Sequence, residues 1–248
     1  MAARSESALR FLDEECERLR DPERAEQMGR YFKHVHPFYG IGSPSLRTMV
    51  KRVQSEHGAS WTAASLLATS EALLEDAHGE KKLLGGYLLG VPSNLKTIGE
   101  EPRVIETLGG FLERHVRDWA TCDTISSQVV RKLIARRPEF AADVQEWCTS
   151  SNDWKQRASC VSFVCLAKHG EHDNVILDIA GHVVRNRNRF PQLGVGWVLR
   201  ELSVADEPAV VAFIKENYTH FTREGLRYAI EKMSKSRRTK LLNYGREG

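Results

Sequence analysis

The chain has 248 residues, 41% of them hydrophobic and 28% charged, enough apolar side chain to bury a core without disulfide or metal staples and too much to leave it disordered. A net charge of only +3 is too mild to announce a nucleic-acid partner by itself. No stretch approaches the roughly eighteen apolar residues of a membrane span and Met1–Ser7 has no signal-peptide core, so the expectation is a soluble, intracellular protein with no membrane partner.

From Ser7 to Leu19, Leu9, Phe11, Leu12 and Leu19 recur at helical spacing among acids and arginines. Asp21-Pro22 opens a second helix, with Asp as N-cap and Pro at its first position; it runs through Ala25, Met28, Tyr31 and Phe32 until Pro37 and the Gly40-Ile41-Gly42 turn stop it. Ser43-Pro44 starts a third by the same rule, with Leu46, Met49, Val50 and Val53 as its buried stripe. Further helices are predicted over 61–74, 81–89, 102–115, 121–136, 138–148, 154–168, 174–184, 192–202, 207–217 and 223–232, with breakers such as Gly170 and Pro191 between them. Nowhere does an alternation of period two persist, so the chain is predicted to be all-α.

Four helix starts read as copies of one unit: Asp118-Trp119-Ala120-Thr121-Cys122-Asp123, Asp153-Trp154-Lys155-Gln156-Arg157-Ala158, Arg189-Phe190-Pro191-Gln192-Leu193-Gly194 and, more weakly, His220 to Gly225. Their spacing of about 31 to 36 residues is the period at which helix pairs stack. The predicted fold is a curved α-solenoid of antiparallel helix pairs, a superhelix of HEAT-like or armadillo type forming one domain over residues 1–248: a helical cap at 1–58, repeats at 59–235 and a basic tail at 236–248. In this alignment Asp123 falls where the next two repeats have Ala158 and Gly194, a carboxylate in an otherwise small slot.

Basic residues gather at Arg47, Lys51 and Arg52, at Arg185, Arg187 and Arg189, and at Lys232, Lys235, Arg237, Arg238 and Lys240. Singly, each cluster reads as a solvated face; three on a stack of repeats suit a polyanion groove. Trp119 and Asp123 share a helix face, Arg157 starts the next repeat, and Trp197 and Arg200 follow slightly deeper in the one after. Asp123 can also be read as a helix-start acid favouring the positive end of the dipole, and Arg157 as the partner of a nearby acid such as Asp153. The five cysteines form no CxxC pair and the nine histidines, His34 and His36 among them, no HExxH or Cys/His spacing. Reduced, buried or partly buried thiols and surface or locally packing histidines are expected, with no metal and no cofactor.

The phrases Trp119-Ala-Thr-Cys-Asp123, Trp154-Lys-Gln-Arg157 and Gly196-Trp197-Val-Leu-Arg200-Glu201, with Met28-Gly-Arg-Tyr31 and Gly40-Ile-Gly-Ser43-Pro44 upstream, resemble the AlkD family of DNA alkylation-repair glycosylases from about Asp21 to Met233. The resemblance implies a monofunctional glycosylase that removes N3- and N7-alkylated purines from duplex DNA without drawing the base into a pocket. It implies a catalytic acid at Asp123, contacts to the lesion's deoxyribose from Trp119 and Trp197, and a backbone contact from Arg157. Tyr31, Ser43, Arg47 and Lys51 match positions near the DNA, and Arg200, Arg185, Arg187 and Arg189 add to the expected DNA-binding set. The polar start of the stretch His34–Tyr39 and the basic Arg185–Arg189 depart from the family pattern. The partner is then alkylated duplex DNA, the protein a monomer with no obligate protein partner. Two other readings stay open: a DNA-binding repeat protein without glycosylase activity, and a protein-binding scaffold.

Overall fold

The computed structural model describes residues 2–244, and all regular structure within them is helical, as the absence of period-two patterning predicts. Two compact units divide the chain, Met1–Leu133 and Ile134–Gly248. The first contains α1 (Ala2–Arg18), α2 (Pro22–Tyr31), α3 (Ser43–His57), α4 (Ala63–Glu75), α5 (Gly79–Leu89), α6 (Pro92–Gly99), α7 (Val104–His115) and α8 (Trp119–Ile125), followed by a π-helical turn over Ser126–Val130; it ends within α9 (Arg131–Arg136). The second contains α10 (Phe140–Gln145), α11 (Asp153–Val161), α12 (Val164–Ala167), α13 (Asp173–Val183), α14 (Arg189–Ala205), α15 (Glu207–Glu216), α16 (Arg223–Ala229) and α17 (Lys235–Asn243).

Each unit is a stack of helical hairpins. In the first, α4 packs on α5, and α3, α5 and α8 follow one another in a row, with α1, α4 and α7 forming a second row. Leu46, Leu66, Leu73, Leu84, Leu88 and Phe111 are buried between these rows. Each such side chain stabilises the fold by about 1.5–3 kcal/mol. In the second unit α11, α14 and α16 form the corresponding row, and α13 and α15 pack on α14. Gly196 lets α14 and α16 approach closely: a Cβ there would press on the Gly225 carbonyl and the Tyr228 ring.

The predicted start of the second helix holds, and the third starts at Ser43 as expected, but with Gly42 and not Ser43 in the cap position and no side-chain cap bond. Asp21 caps α2 by accepting the Arg24 N–H at 3.0 Å ahead of Pro22, and α3 has Pro44 in its first turn. Two predicted helices are broken. The helix expected over 121–136 is interrupted by the π turn, and the one over 154–168 breaks at Ser162-Phe163 into α11 and α12. Helices α6 and α17 were not predicted: α6 follows the breaker pair Gly90 and Pro92, and α17 has so many cations that only Leu241 is buried. The expected basic tail at 236–248 is thus helical to Asn243, while residues 245–248 lie outside the described residues. Among the described residues, no helix is long and apolar enough to cross a membrane. Cys16, Cys122, Cys148 and Cys160 are buried free thiols, and Cys165 is exposed.

Candidate active site

One carboxylate organises the start of α8. Asp118 is its N-cap on extended backbone, and its Oδ1 accepts the Thr121 N–H at 2.9 Å. Its Oδ2 accepts the Thr121 hydroxyl at 2.7 Å and stands 3.1 Å from His36 Nε2, both side chains being buried. Burial alone would raise this carboxyl; the hydrogen bonds from His36 and Thr121 outweigh it and hold Asp118 below its ordinary range. With Asp118 committed inward, Trp119 emerges half-buried, and Asp123, four residues on and on the same face, is half-buried too. Beyond Ile125 the helix widens into the π turn, where the buried Ser126 hydroxyl donates to the Cys122 carbonyl at 2.8 Å. A π turn shifts the register of everything after it, a distortion frequent at functional sites.

The indole of Trp119 is walled by the end of α2. Phe32 stacks on it at 5.5 Å between centroids and 22° between planes, Phe38 packs behind Phe32 at 5.2 Å, and Tyr31 meets the indole edge-on at 6.2 Å. Tyr31 itself is 69% exposed. The segment from Phe32 to Gly42 that brings these rings together is firmly tied. Lys33 and His34 take left-handed backbone at φ 54° and 56°, and Gly40 at φ 90° lies so close to Asp21 that a Cβ would collide with its carbonyl. The fully buried Glu80 carboxylate accepts the backbone N–H groups of Tyr39, Gly40 and Ile41 at 2.8–3.1 Å. Beneath the same region Lys82 is buried and donates its ammonium to the carbonyls of Leu74 and His115, at the C-termini of α4 and α7; burial lowers its pKa.

In the second unit, Arg157 on α11 is only 6% exposed, and its Nη1 donates to the Phe190 carbonyl at 2.8 Å. The oxygens of Asp153 accept from Asn186 and Asn188, each at 2.7 Å. Trp154 packs on Phe190 at 4.9 Å, and Trp197 on α14 is half-buried. Arg200 is held by Glu201 at 2.8 Å and Glu231 at 2.6 Å and lies over the Tyr228 ring. Arg189 forms a two-pronged pair with Glu224 at 2.8 and 2.6 Å, Arg187 donates to the Thr219 and His220 carbonyls at 3.3 Å, and the exposed Arg185 donates to the Gly181 carbonyl. Much of the charge expected to face a polyanion is therefore engaged in joining neighbouring helices.

On α3, Ser43, Arg47 and Lys51 are all exposed. Arg47 lies over the Tyr87 ring at 4.2 Å, and with Lys51, Tyr87, Gln128 and Lys132 it lines a small cavity of about 160 Å³ within the first unit. Among the described residues, Cys148, Asp178 and His182 could converge on a metal ion. Yet Asp178 accepts from Gln145 at 2.7 Å, and His182 Nδ1 stands 3.9 Å from its carboxylate, wider than the roughly 3.3 Å edge of a tetrahedral shell of zinc ligands. Burial, and then the charge of Asp178, pushes the Cys148 thiol up to about 11.

The caps also correct the repeat alignment. The residues whose side chains cap α8, α11, α14 and α16 are Asp118, Asn152, Asn188 and Thr222. Counted from the cap, Asp123 corresponds to Arg157, Leu193 and Arg227, not to Ala158 and Gly194, because the two aspartates that match in sequence, Asp118 and Asp153, are cap and first helical residue respectively. The slot is not uniformly small; it holds one acid among arginines and a leucine. Sequence reasoning missed Asp118, although Asp118-x-x-Thr121 is a recognisable cap pattern, and took His36 for a surface or locally packing residue, whereas it is a buried partner across 82 positions.

No curated protein sequence matches this chain. A solved chain from Enterococcus faecalis, described as a predicted DNA alkylation repair enzyme, shares its fold at a TM-score of 0.77 and 18% identity, covering 87% of this chain and 97% of that one. The family model for DNA alkylation repair enzymes matches residues 12–233, nearly the whole sequence, and includes both Trp119-Ala-Thr-Cys-Asp123 and Gly196-Trp197-Val-Leu-Arg200. The chain belongs to the DNA alkylation repair enzyme family.

Proposed function

We propose that the protein excises cationic N3- and N7-alkylated purines from duplex DNA by hydrolysing the N-glycosidic bond. The observation that carries this reading is the start of α8: a half-buried carboxylate, Asp123, one turn from a half-buried indole, Trp119, whose position is fixed by Phe32, Tyr31 and a buried cap. Alkylation at N3 or N7 leaves the purine positively charged, hence already a good leaving group, so no general acid is needed to protonate it. The developing charge sits on the sugar, as in glycoside hydrolysis. Asp123 stabilises that oxocarbenium character and orients or deprotonates the attacking water. Trp119 offers an electron-rich face to a cationic sugar, a contact worth roughly 0.5–2 kcal/mol; Trp197, half-buried on α14, carries an indole suited to the same kind of contact.

Tyr31, Ser43, Arg47, Lys51 and Arg185 are exposed and supply contacts to the duplex. Arg157, buried with Nη1 donating to the Phe190 carbonyl, holds a backbone phosphate only through its other N–H groups. Arg187, Arg189 and Arg200 contribute less, being committed to carbonyls and carboxylates of their own unit. The protein works as a monomer on one duplex and needs no metal for this chemistry. The test is release of free base from a duplex containing N7-methylguanine or N3-methyladenine, alongside Asp123→Asn. Excision by the parent and a loss of about a hundredfold or more in the variant are expected. Binding without release from either lesion would leave the non-catalytic DNA-binding reading in its place.

A further inference from the structure

We infer that His36 is a positioning residue for the candidate active site, acting on Trp119 and Asp123 through Asp118. This inference rests on the glycosylase reading for its consequence, though not for its geometry. His36 Nε2 stands 3.1 Å from Asp118 Oδ2, and both side chains are only 6–7% exposed. Facing an ionised carboxylate, Nε2 donates. That bond joins two pieces of chain that local structure leaves independent: the tied segment after α2, and the first turn of α8.

Both ends of this link are anchored. On the His36 side, the neighbouring Pro37 carbonyl accepts the Gly79 N–H at 3.1 Å, the next three residues but one are gripped by Glu80, and the His34 N–H donates back to Gly29 at 2.7 Å. On the other side, Asp118 supplies the cap and holds both the backbone and the hydroxyl of Thr121. The same segment places Phe32 flat against Trp119. A shift of His36 therefore moves the wall and the cap together, and Trp119 and Asp123 lie within the first turns that the cap defines. Other charged groups near Asp118 are poorly suited to replace the histidine: the Lys82 ammonium is committed to the carbonyls of Leu74 and His115. The polar stretch His34–Tyr39, a departure from the family pattern in sequence, is thus explained by what it holds.

The experiment compares parent, His36→Ala, His36→Gln and Asp123→Asn, with the double variant His36→Ala/Asp123→Asn, in single-turnover excision of N7-methylguanine and in binding to the same duplex. His36→Ala should lower the excision rate about tenfold, the loss expected for one hydrogen bond to a charged group, and leave the dissociation constant for DNA within about twofold. His36→Gln, whose amide can donate to Asp118, should recover most of the rate. Because His36 acts partly through Asp123 and partly through Trp119, its loss should cost clearly less than about tenfold once Asp123 is already Asn. Full activity in His36→Ala, or an undiminished effect in the double variant, overturns the inference. Should His36→Ala fold poorly, the glutamine variant alone decides: a folded His36→Gln as slow as Asp123→Asn also overturns it. If the parent releases no base, the functional reading falls, and positioning is read instead from Trp119 emission, taken as parent minus Trp119→Phe. That emission must move to longer wavelength in His36→Ala, and an unchanged spectrum refutes the link.

Discussion

The starts of α8 and α14 use the same device, a side-chain cap before the first turn, to opposite ends. At α14 the polar side chains close mostly on other helices and on the loops beside them. Asn188 accepts the Phe190 N–H and donates to Asp153, Arg189 pairs with Glu224, and Gln192 donates to the carbonyls of Val184, Asn186 and His220 while accepting the Thr222 N–H. At α8 the polar groups beneath the backbone are satisfied among themselves, by Asp118, Thr121 and His36, and the face above them carries Trp119 and Asp123 half-open to solvent. One start is mortar between repeats; the other is a platform. The richer charge in sequence belongs to the mortar, where much of it is already paired.

The widest gap between the two starts is expected in catalysis. Asp123→Asn should cost about a hundredfold or more in single-turnover excision, whereas Leu193→Ala, at the matching position from the α14 cap, should cost less than about threefold. Equal losses at both positions would mean that Asp123 matters only to folding. Stability comes next. Asp118→Ala removes the cap and leaves the buried His36 and the Thr121 N–H without their acceptor, a loss of about 2–4 kcal/mol by urea denaturation. Asn188→Ala, at a half-solvated cap, should cost about 1 kcal/mol. If the two losses come out alike, the buried pair adds nothing to an ordinary cap.

Acid should separate the two starts again. The folded Asp118 carboxyl is held below its unfolded value, so the stability it contributes is fully present above roughly pH 4 and drains away as pH falls through the folded pKa. Asn188 has no charge to lose. Asp118→Asn should therefore flatten the acid limb of the stability profile, and Asn188→Ala should not; an unaltered acid limb in Asp118→Asn would show that the carboxyl does not depend on His36 and Thr121.

These contrasts mark what was legible in the sequence. The helical class, the capped α2 start, the α3 start at Ser43-Pro44 and the pairing of Trp119 with Asp123 on one face follow from spacing, a cap and first-turn prolines, which act within a few positions. The π turn after Ile125 does not, because the apolar stripe of 121–136 reads as continuous whether or not an extra residue is inserted. The repeat register slipped because aspartate serves both as a cap, at Asp118, and as a first-turn acid, at Asp153. His36 was the least visible: its partner is 82 residues away, and nothing local distinguishes a buried histidine from a surface one. The partners of Arg187 and Arg189, the carbonyls of Thr219 and His220 and the carboxylate of Glu224, were invisible too, since they come within reach only once the helices are packed.

The smallest effect tests that last point. If binding to undamaged duplex is dominated by phosphate contacts, each cation that takes part contributes about one unit to the slope of log affinity against log salt. Lys51, exposed on α3, should contribute, and Lys51→Gln should lower the slope by about one. Arg189 has its guanidinium matched to Glu224, so a phosphate must compete with a carboxylate already in place, and the net charge of the pair is zero. Arg189→Gln should leave the slope unchanged and reduce stability by no more than about 0.5–1 kcal/mol, because the pair is largely exposed and water screens it. If instead Arg189→Gln flattens the salt response as much as Lys51→Gln, then the ion pair opens on binding DNA, and the mortar between α14 and α16 is also part of the duplex surface.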